Sequence, residues 1–129
     1  MTGKVLLDTN IVIALFADEA SVKQQLAIVS EIFIPSIVLG ELYYGARKSA
    51  RIEQNIVRID EFAADNTVLL YDTITARQYG TIKAQLRAKG KPIPENDIWI
   101  AAIAEQHQLT LVTRDSHFQH IDGLVVDQW

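Results

Sequence analysis

An open α/β sandwich, with a central parallel sheet of four to five strands and helices on both faces, is the fold class this sequence predicts. Three observations lead to it. Short apolar runs rich in Val, Ile and Leu recur along the chain, each gives way to residues with apolar spacings of three and four, and turn or capping residues stand between them. Strands that alternate with helices pack as a parallel sheet, because each helix carries the chain back to the edge where the next strand begins. The 129 residues are 49% apolar and include no cysteine, enough for one domain over residues 1–129 that buries its core without disulfides or a structural metal.

Val5-Leu6-Leu7 form the first expected strand, closed by Asp8-Thr9-Asn10, after which Ile11, Ile13, Ala14 and Leu15 suit a short buried helix. Val22, Leu26 and Val29 mark a second helix within residues 20–31. Ile32-Phe33-Ile34 are the second strand, stopped by Pro35-Ser36. Ser36 is the expected N-cap of a helix carrying Leu39, Leu42, Tyr43 and Ala46, which ends at Arg47-Lys48-Ser49. A fourth helix places Ile52, Ile56, Ile59 and Phe62 on one face. Asp65-Asn66 then turn the chain into a third strand over residues 67–71. Asp72 opens a long helix with Thr75, Tyr79, Ile82 and Leu86 on its face; Gly90 and the rigid Lys91-Pro92-Ile93-Pro94 loop end it. Residues 98–104 are apolar nearly all round, as in a helix buried on most sides. Residues 109–113 make a fourth strand and 124–126 a fifth.

The net charge of −4 argues against a basic coat for nucleic acid, but its distribution is uneven. Residues 1–46 sum to −3, residues 47–91 to +4 and residues 92–129 to −5, so a basic island lies between acidic flanks. If the flanking acids gather around a cation, the island can meet a polyanion; otherwise its lysines and arginines simply solvate helix faces. Asp8, Asp18 and Glu19 interrupt the early apolar stretches, so neither a secretory signal nor a membrane span is expected, and a soluble cytoplasmic protein is the default.

In an open parallel sheet, ligands bind beyond the carboxyl ends of the strands. Asp8 closes the first strand and Asp115 follows the fourth, so both should leave the sheet on that edge. Asp97, in the first turn of the buried helix, and Glu41, one and a half turns into the helix after the second strand, are placed to face the same cavity. Gathered carboxylates repel unless a cation neutralises them, and hard oxygen ligands without cysteine or paired histidines select Mg2+ or Mn2+. Phosphoryl transfer to water is the chemistry such a site supports. Each acid also has a purely structural reading: Asp8 as a helix N-cap, Asp97 as a partner of the helix dipole, Glu41 as a solvated residue and Asp115 as an Asx turn.

The residues Leu7-Asp8-Thr9-Asn10, the stretch from Ser36 through Glu41-Leu42 to Tyr44-Gly45, Asn96-Asp97-Ile98-Trp99-Ile100-Ala101-Ala102, and Thr113-Arg114-Asp115 with Phe118 occur in that order. In them the chain resembles the PIN-domain ribonucleases, specifically the VapC-type toxins of VapBC toxin–antitoxin pairs, over nearly its whole length. The resemblance implies a PIN-like three-layer sandwich in which Asp8, Glu41, Asp97 and Asp115 are the catalytic quartet. It implies further that Asp8, Asp97 and Asp115 bind Mg2+ or Mn2+ for endonucleolytic hydrolysis of RNA. It also implies a homodimer, a small VapB-type antitoxin that blocks the site, and structured RNA, often tRNA, as substrate. The stretch from Pro94 to Ala102 and the ending from Gly123 to Trp129 are most similar to members that cleave initiator tRNA.

Supporting roles are open between two readings. Thr9, Asn10, Asn96 and Thr113 either hydrogen-bond the carboxylates or a metal-bound water, or serve as caps and turns. Arg114 either contacts phosphate or pairs with an acid. His117 and His120 either donate to a phosphate or, as the commoner case, are simply surface histidines, and His107 is expected at the end of the buried helix. Tyr43 and Tyr44 either stack on bases or, as the commoner case, divide so that one packs and the other is exposed, while Trp99 and Trp129 are assigned to packing. The functional alternative is a catalytically silent PIN module that binds RNA or protein. A phospho-acceptor receiver domain, suggested by Asp72 after a strand, lacks the required acidic pair after the first strand. A phosphatase with two aspartates two positions apart fails because Asn10 holds the second place.

Overall fold

The structure, a computed structural model, describes residues 3–129. Strand β1 (Lys4–Leu7) leads into α1 (Thr9–Phe16) and α2 (Ala20–Ala27); β2 (Glu31–Pro35) leads into α3 (Ser36–Arg47) and α4 (Ile52–Asp65). Then come β3 (Thr67–Leu69), α5 (Thr73–Ala88), α6 (Glu95–Gln106), β4 (Thr110–Val112), a 3-10 turn (Ser116–His120) and β5 (Val126–Asp127). No helix of the described residues is long and apolar enough to cross a membrane.

The strands lie in the order β3-β2-β1-β4-β5, and every pairing is parallel. The chain moves outward from β1 through β2 to β3, then returns to place β4 on the other side of β1. The carboxyl ends of β1 and β4 therefore flank the point where the winding reverses, which is where an open α/β sheet forms its binding crevice. The ladder continues past the strands: the Asp8 amide donates to the Val112 carbonyl at 3.0 Å, and the Thr113 amide to the Asp127 carbonyl at 3.0 Å. Asp8 and Thr113 are thus fixed by backbone before any side chain contributes.

Val5, Leu6 and Leu7 are buried although successive side chains point to opposite faces, so both faces of β1 are covered. Helix α6 explains part of that cover. Ile98, Ile100, Ala101, Ala102, Ile103 and Ala104 are all buried, and the alanines let neighbouring elements approach closely on several sides. Helix α5 packs against it through Thr75, Ile82 and Leu86 and is nucleated at Asp72, whose carboxylate accepts the Thr75 amide at 3.0 Å while the Thr75 hydroxyl accepts the Asp72 amide at 3.1 Å. Asp72 is thereby a helix cap.

Four local expectations change. Ser36 is the first helical residue of α3, not its cap: Pro35 ends β2 at φ −65°, a value already suited to helix entry, so strand passes into helix without a loop. Ile13 is 56% exposed, because the buried stripe of α1 is Ile11, Val12 and Ala14. Strand β3 stops at Leu69 because β2, beside it, ends at the paired Pro35 and enters α3 at Ser36; Leu70 faces outward and the Tyr71 hydroxyl turns inward to accept the Ile37 amide at 3.1 Å. Strand β5 begins at Val126 and not at Leu124.

Leu111, fully buried in β4 beside β1, should be among the least replaceable side chains. Leu111→Ala is expected to lower the unfolding free energy by about 2–5 kcal/mol in a urea titration followed by circular dichroism.

Candidate active site

Asp8 is the most enclosed acid, with 3% of its surface exposed. Its Oδ1 accepts the Thr9 amide at 2.8 Å and its Oδ2 the Thr113 hydroxyl at 2.7 Å, so the same carboxylate caps α1 and ties β1 to β4. Asn10 extends this bridge, donating to Asp8 Oδ2 at 3.4 Å and accepting the Arg114 amide at 3.2 Å. The Thr113 oxygen in turn accepts the Asp115 amide at 3.0 Å. Glu41 reaches in from α3, where Thr9 Oγ1 donates to its Oε1 at 2.5 Å and Asn96 Nδ2 to its Oε2 at 3.4 Å. Asp97 enters from the first turn of α6 and Asp115 from the segment after β4.

These carboxylates form one electrostatic unit. Burial pushes the Asp8 carboxyl above its ordinary value; hydrogen bonds from Thr113 and Thr9 pull it back, and the charges of Asp97 and Asp115 push it up again. Burial also raises Asp97, opposed by His117 and reinforced by Asp115 and Glu41. All four acids of the expected quartet thus face one edge of the sheet. Among the described residues, no lysine or arginine hydrogen-bonds to any of them.

A PIN domain profile matches residues 5–124. The chain belongs to the PIN-domain family. It is 39% identical over 98% of both chains to ribonuclease VapC2 of Haemophilus influenzae, and 36% identical over 98% of both to the tRNA(fMet)-specific endonuclease VapC of Shigella flexneri. Among solved structures, VapBC2 of Rickettsia felis bound to a promoter DNA fragment superposes with a TM-score of 0.91, at 33% identity and 98% coverage of each chain. DNA-bound VapBC of Salmonella typhimurium gives 0.90 at 33% identity, over 100% of this chain and 99% of that one. Within the PIN family the chain thus stands with the VapC proteins.

The supporting residues of this PIN domain divide clearly. Thr9, Asn10, Asn96 and Thr113 each touch a carboxylate of the quartet. Arg114 does not. Its guanidinium grips Glu19 through two bonds, at 2.8 and 3.2 Å, and its Nε donates to the Trp129 carbonyl at 3.3 Å, so of its two expected roles the structure shows the ion pair. Tyr43 packs on the core and donates its hydroxyl to Asp60, while Tyr44 is exposed beneath Lys48. Trp99 stacks on Tyr79 with centroids 4.2 Å apart, and His107 caps the end of α6.

His117 departs from the surface role expected of it. The 3-10 turn folds it back over the edge, where its Nε2 lies 2.6 Å from Asp97 Oδ2 and 3.8 Å from Asp115 Oδ2. His120, by contrast, is exposed. Donor atoms of Asp97, Asp115 and His117 all fall within 4.8 Å of one another, close enough for one divalent cation to be shared among them. Asp8 lies outside that triad and feels its charges from a deeper position. The donor chemistry, mostly hard oxygens at a crowded negative edge, fits a divalent cation.

The raised Asp8 carboxyl has a thermodynamic consequence. A group whose folded pKa exceeds its unfolded value favours the fold below the unfolded pKa and loses that contribution as pH rises through the folded one. At neutral pH in chelator, Asp8→Asn should therefore melt no lower than the parent, and the difference should shrink as pH falls towards about 4. Differential scanning calorimetry across that range checks both points.

Proposed function

We infer that this PIN domain is a divalent-metal-dependent endoribonuclease, the toxin of a VapBC-type pair. The observation that carries this reading is the convergence of Asp8, Glu41, Asp97 and Asp115 from four separate elements onto one sheet edge. The full-length similarity to ribonucleases named VapC supports it. Asp8, Asp97 and Asp115 would hold Mg2+ or Mn2+. When bound, the cation supplies neutralisation of the carboxylates and polarisation of a phosphate oxygen.

The chain's own residues do the rest. Glu41, oriented from both sides by Thr9 and Asn96, is the base that accepts a proton from the attacking water. The water oxygen bonds to phosphorus as the P–O bond to the leaving ribose oxygen breaks, and that oxygen takes a proton from solvent to leave as a hydroxyl. Thr113 and Asn10 keep the β1 and β4 ends in register, which fixes Asp8 relative to Asp115. Structured RNA is the substrate class, with tRNA the first candidate given the relative from Shigella flexneri. For the antitoxin, the groove between α1, α3 and α4 is a suitable seat: Ile13, Phe16, Leu42, Ala46 and Ile59 line it, and Glu41 borders it.

Two experiments test this assignment. Asp97→Asn and Asp115→Asn should each cut Mg2+- or Mn2+-dependent cleavage of a fluorogenic RNA by about a hundredfold or more while the far-UV spectrum stays native. Undiminished cutting by both variants would overturn it, and retained RNA binding without any cleavage by the parent would favour the silent module. Thr9→Val, which frees Glu41 from one of its two tethers, should lower kcat while leaving metal affinity nearly unchanged; steady-state kinetics beside calorimetric titration separates the two quantities.

A further inference from the structure

Hydrolysis by the four carboxylates leaves the imidazole of His117 without a task, yet the chain holds it firmly at their edge. The 3-10 turn begins immediately after Asp115, and Phe118 at its centre is completely buried, which anchors the turn in the core. The His117 ring lies against Phe118 with centroids 5.1 Å apart and keeps 30% of its side-chain surface exposed, against 14% for Asp97 and 48% for Asp115. One nitrogen, Nε2, faces both carboxylates. The other two acids of the quartet are steadied by hydrogen bonds: Asp8 by Thr9 and Thr113, Glu41 by Thr9 and Asn96.

We propose that His117 is a nitrogen ligand of the divalent cation at this edge and gives the site a preference for Mn2+ over Mg2+. The proposal rests on the metal-dependent nuclease reading of the same site. Metal–ligand bonds of roughly 2.0–2.6 Å put two ligands of one ion no more than about 5 Å apart. The carboxylate oxygens of Asp97 and Asp115 and the imidazole nitrogen, mutually within 4.8 Å, meet that condition. Mg2+ is hard, gives up water reluctantly and gains little from an imidazole. Mn2+ also favours oxygen donors, but as a first-row transition ion it gains more from one imidazole than Mg2+ does, and the later first-row ions gain more still. With one imidazole among carboxylates and no cysteine, the donor set lies between an all-oxygen magnesium site and a nitrogen- and sulfur-rich zinc site. His117 is therefore the residue that decides which divalent ion is favoured.

The test uses the whole chain, the ions themselves and His117→Gln, which retains a hydrogen-bonding group of similar reach. Pulsed electron paramagnetic resonance of the Mn2+-loaded parent should show the hyperfine coupling of a directly bound imidazole nitrogen, absent from the variant. In separate calorimetric titrations with MnCl2 and MgCl2, His117→Gln should raise the Mn2+ Kd by about tenfold and change the Mg2+ Kd by less than about twofold. Absence of nitrogen coupling in the Mn2+-loaded parent overturns the proposal, as does an equal loss of both affinities, which would mean that His117 only positions Asp97. Should the variant fail to fold, the spectrum of the parent decides alone. A parent chain that binds neither ion defeats the nuclease reading as well, whereas Mn2+ binding without nitrogen coupling defeats only the role of His117.

Discussion

Like charges brought together at a partly dry surface are the constraint around which this molecule is arranged. Asp8 is almost wholly enclosed and stands in the field of Asp97 and Asp115, while Asp97 also feels Glu41. Such a group of anions needs donors to face. Asp8 and Glu41 find them in the nearest backbone and hydroxyls: the Thr9 amide and the Thr113 hydroxyl for Asp8, the Thr9 hydroxyl for Glu41. None of these donors carries a charge. They soften the repulsion without cancelling it, so the edge keeps an appetite for a cation, and an internal lysine or arginine in their place would have satisfied it permanently.

The fold makes that arrangement affordable by fixing the acids through rigid elements. With β1 central and β4 beside it, two carboxylates leave neighbouring strand ends at the reversal point of the sheet. Helix α6, enclosed on most sides by its isoleucines and alanines, cannot roll, so Asp97 in its first turn has a defined direction. Glu41 stands on the helix that follows β2 without an intervening loop, and the direct passage from Pro35 into Ser36 limits how far that helix can swing. Stability and site geometry thus draw on the same buried residues.

Much of this was legible in the sequence because it depends on local periodicity and on one topological rule. Apolar runs and helical spacings identify each element in order, and the rule that strand ends carry ligands singles out Asp8 and Asp115. What was not legible depends on contacts between distant residues. Ile13 obeys the apolar pattern of α1 yet faces a groove, since which stripe docks is decided by the neighbouring helices. The third strand is shorter than its propensity suggests because Leu70 and Tyr71 lie beyond the end of β2 at Pro35 and have no strand to pair with. The partner of Arg114 is Glu19, 95 positions away, and no short-range pattern encodes such a pair. His117 was placed at the surface because a polar residue beside a large aromatic does not by itself announce a 3-10 turn; the signal lay in Phe118, whose burial forces its neighbour back over Asp97.

The engagement of Arg114 has a wider meaning. It stands between Thr113 and Asp115, nearer to the quartet in the chain than any other cationic side chain, yet its charge is spent on Glu19. A polyanion that approaches this edge therefore meets carboxylates first, and under the proposed metal-dependent reading its welcome depends on the ion they would hold. On that reading ion and polyanion would be thermodynamically linked, each tightening the hold on the other by the same factor. A cell could in this way silence the protein by ion scarcity alone, with no change in the amount of chain present.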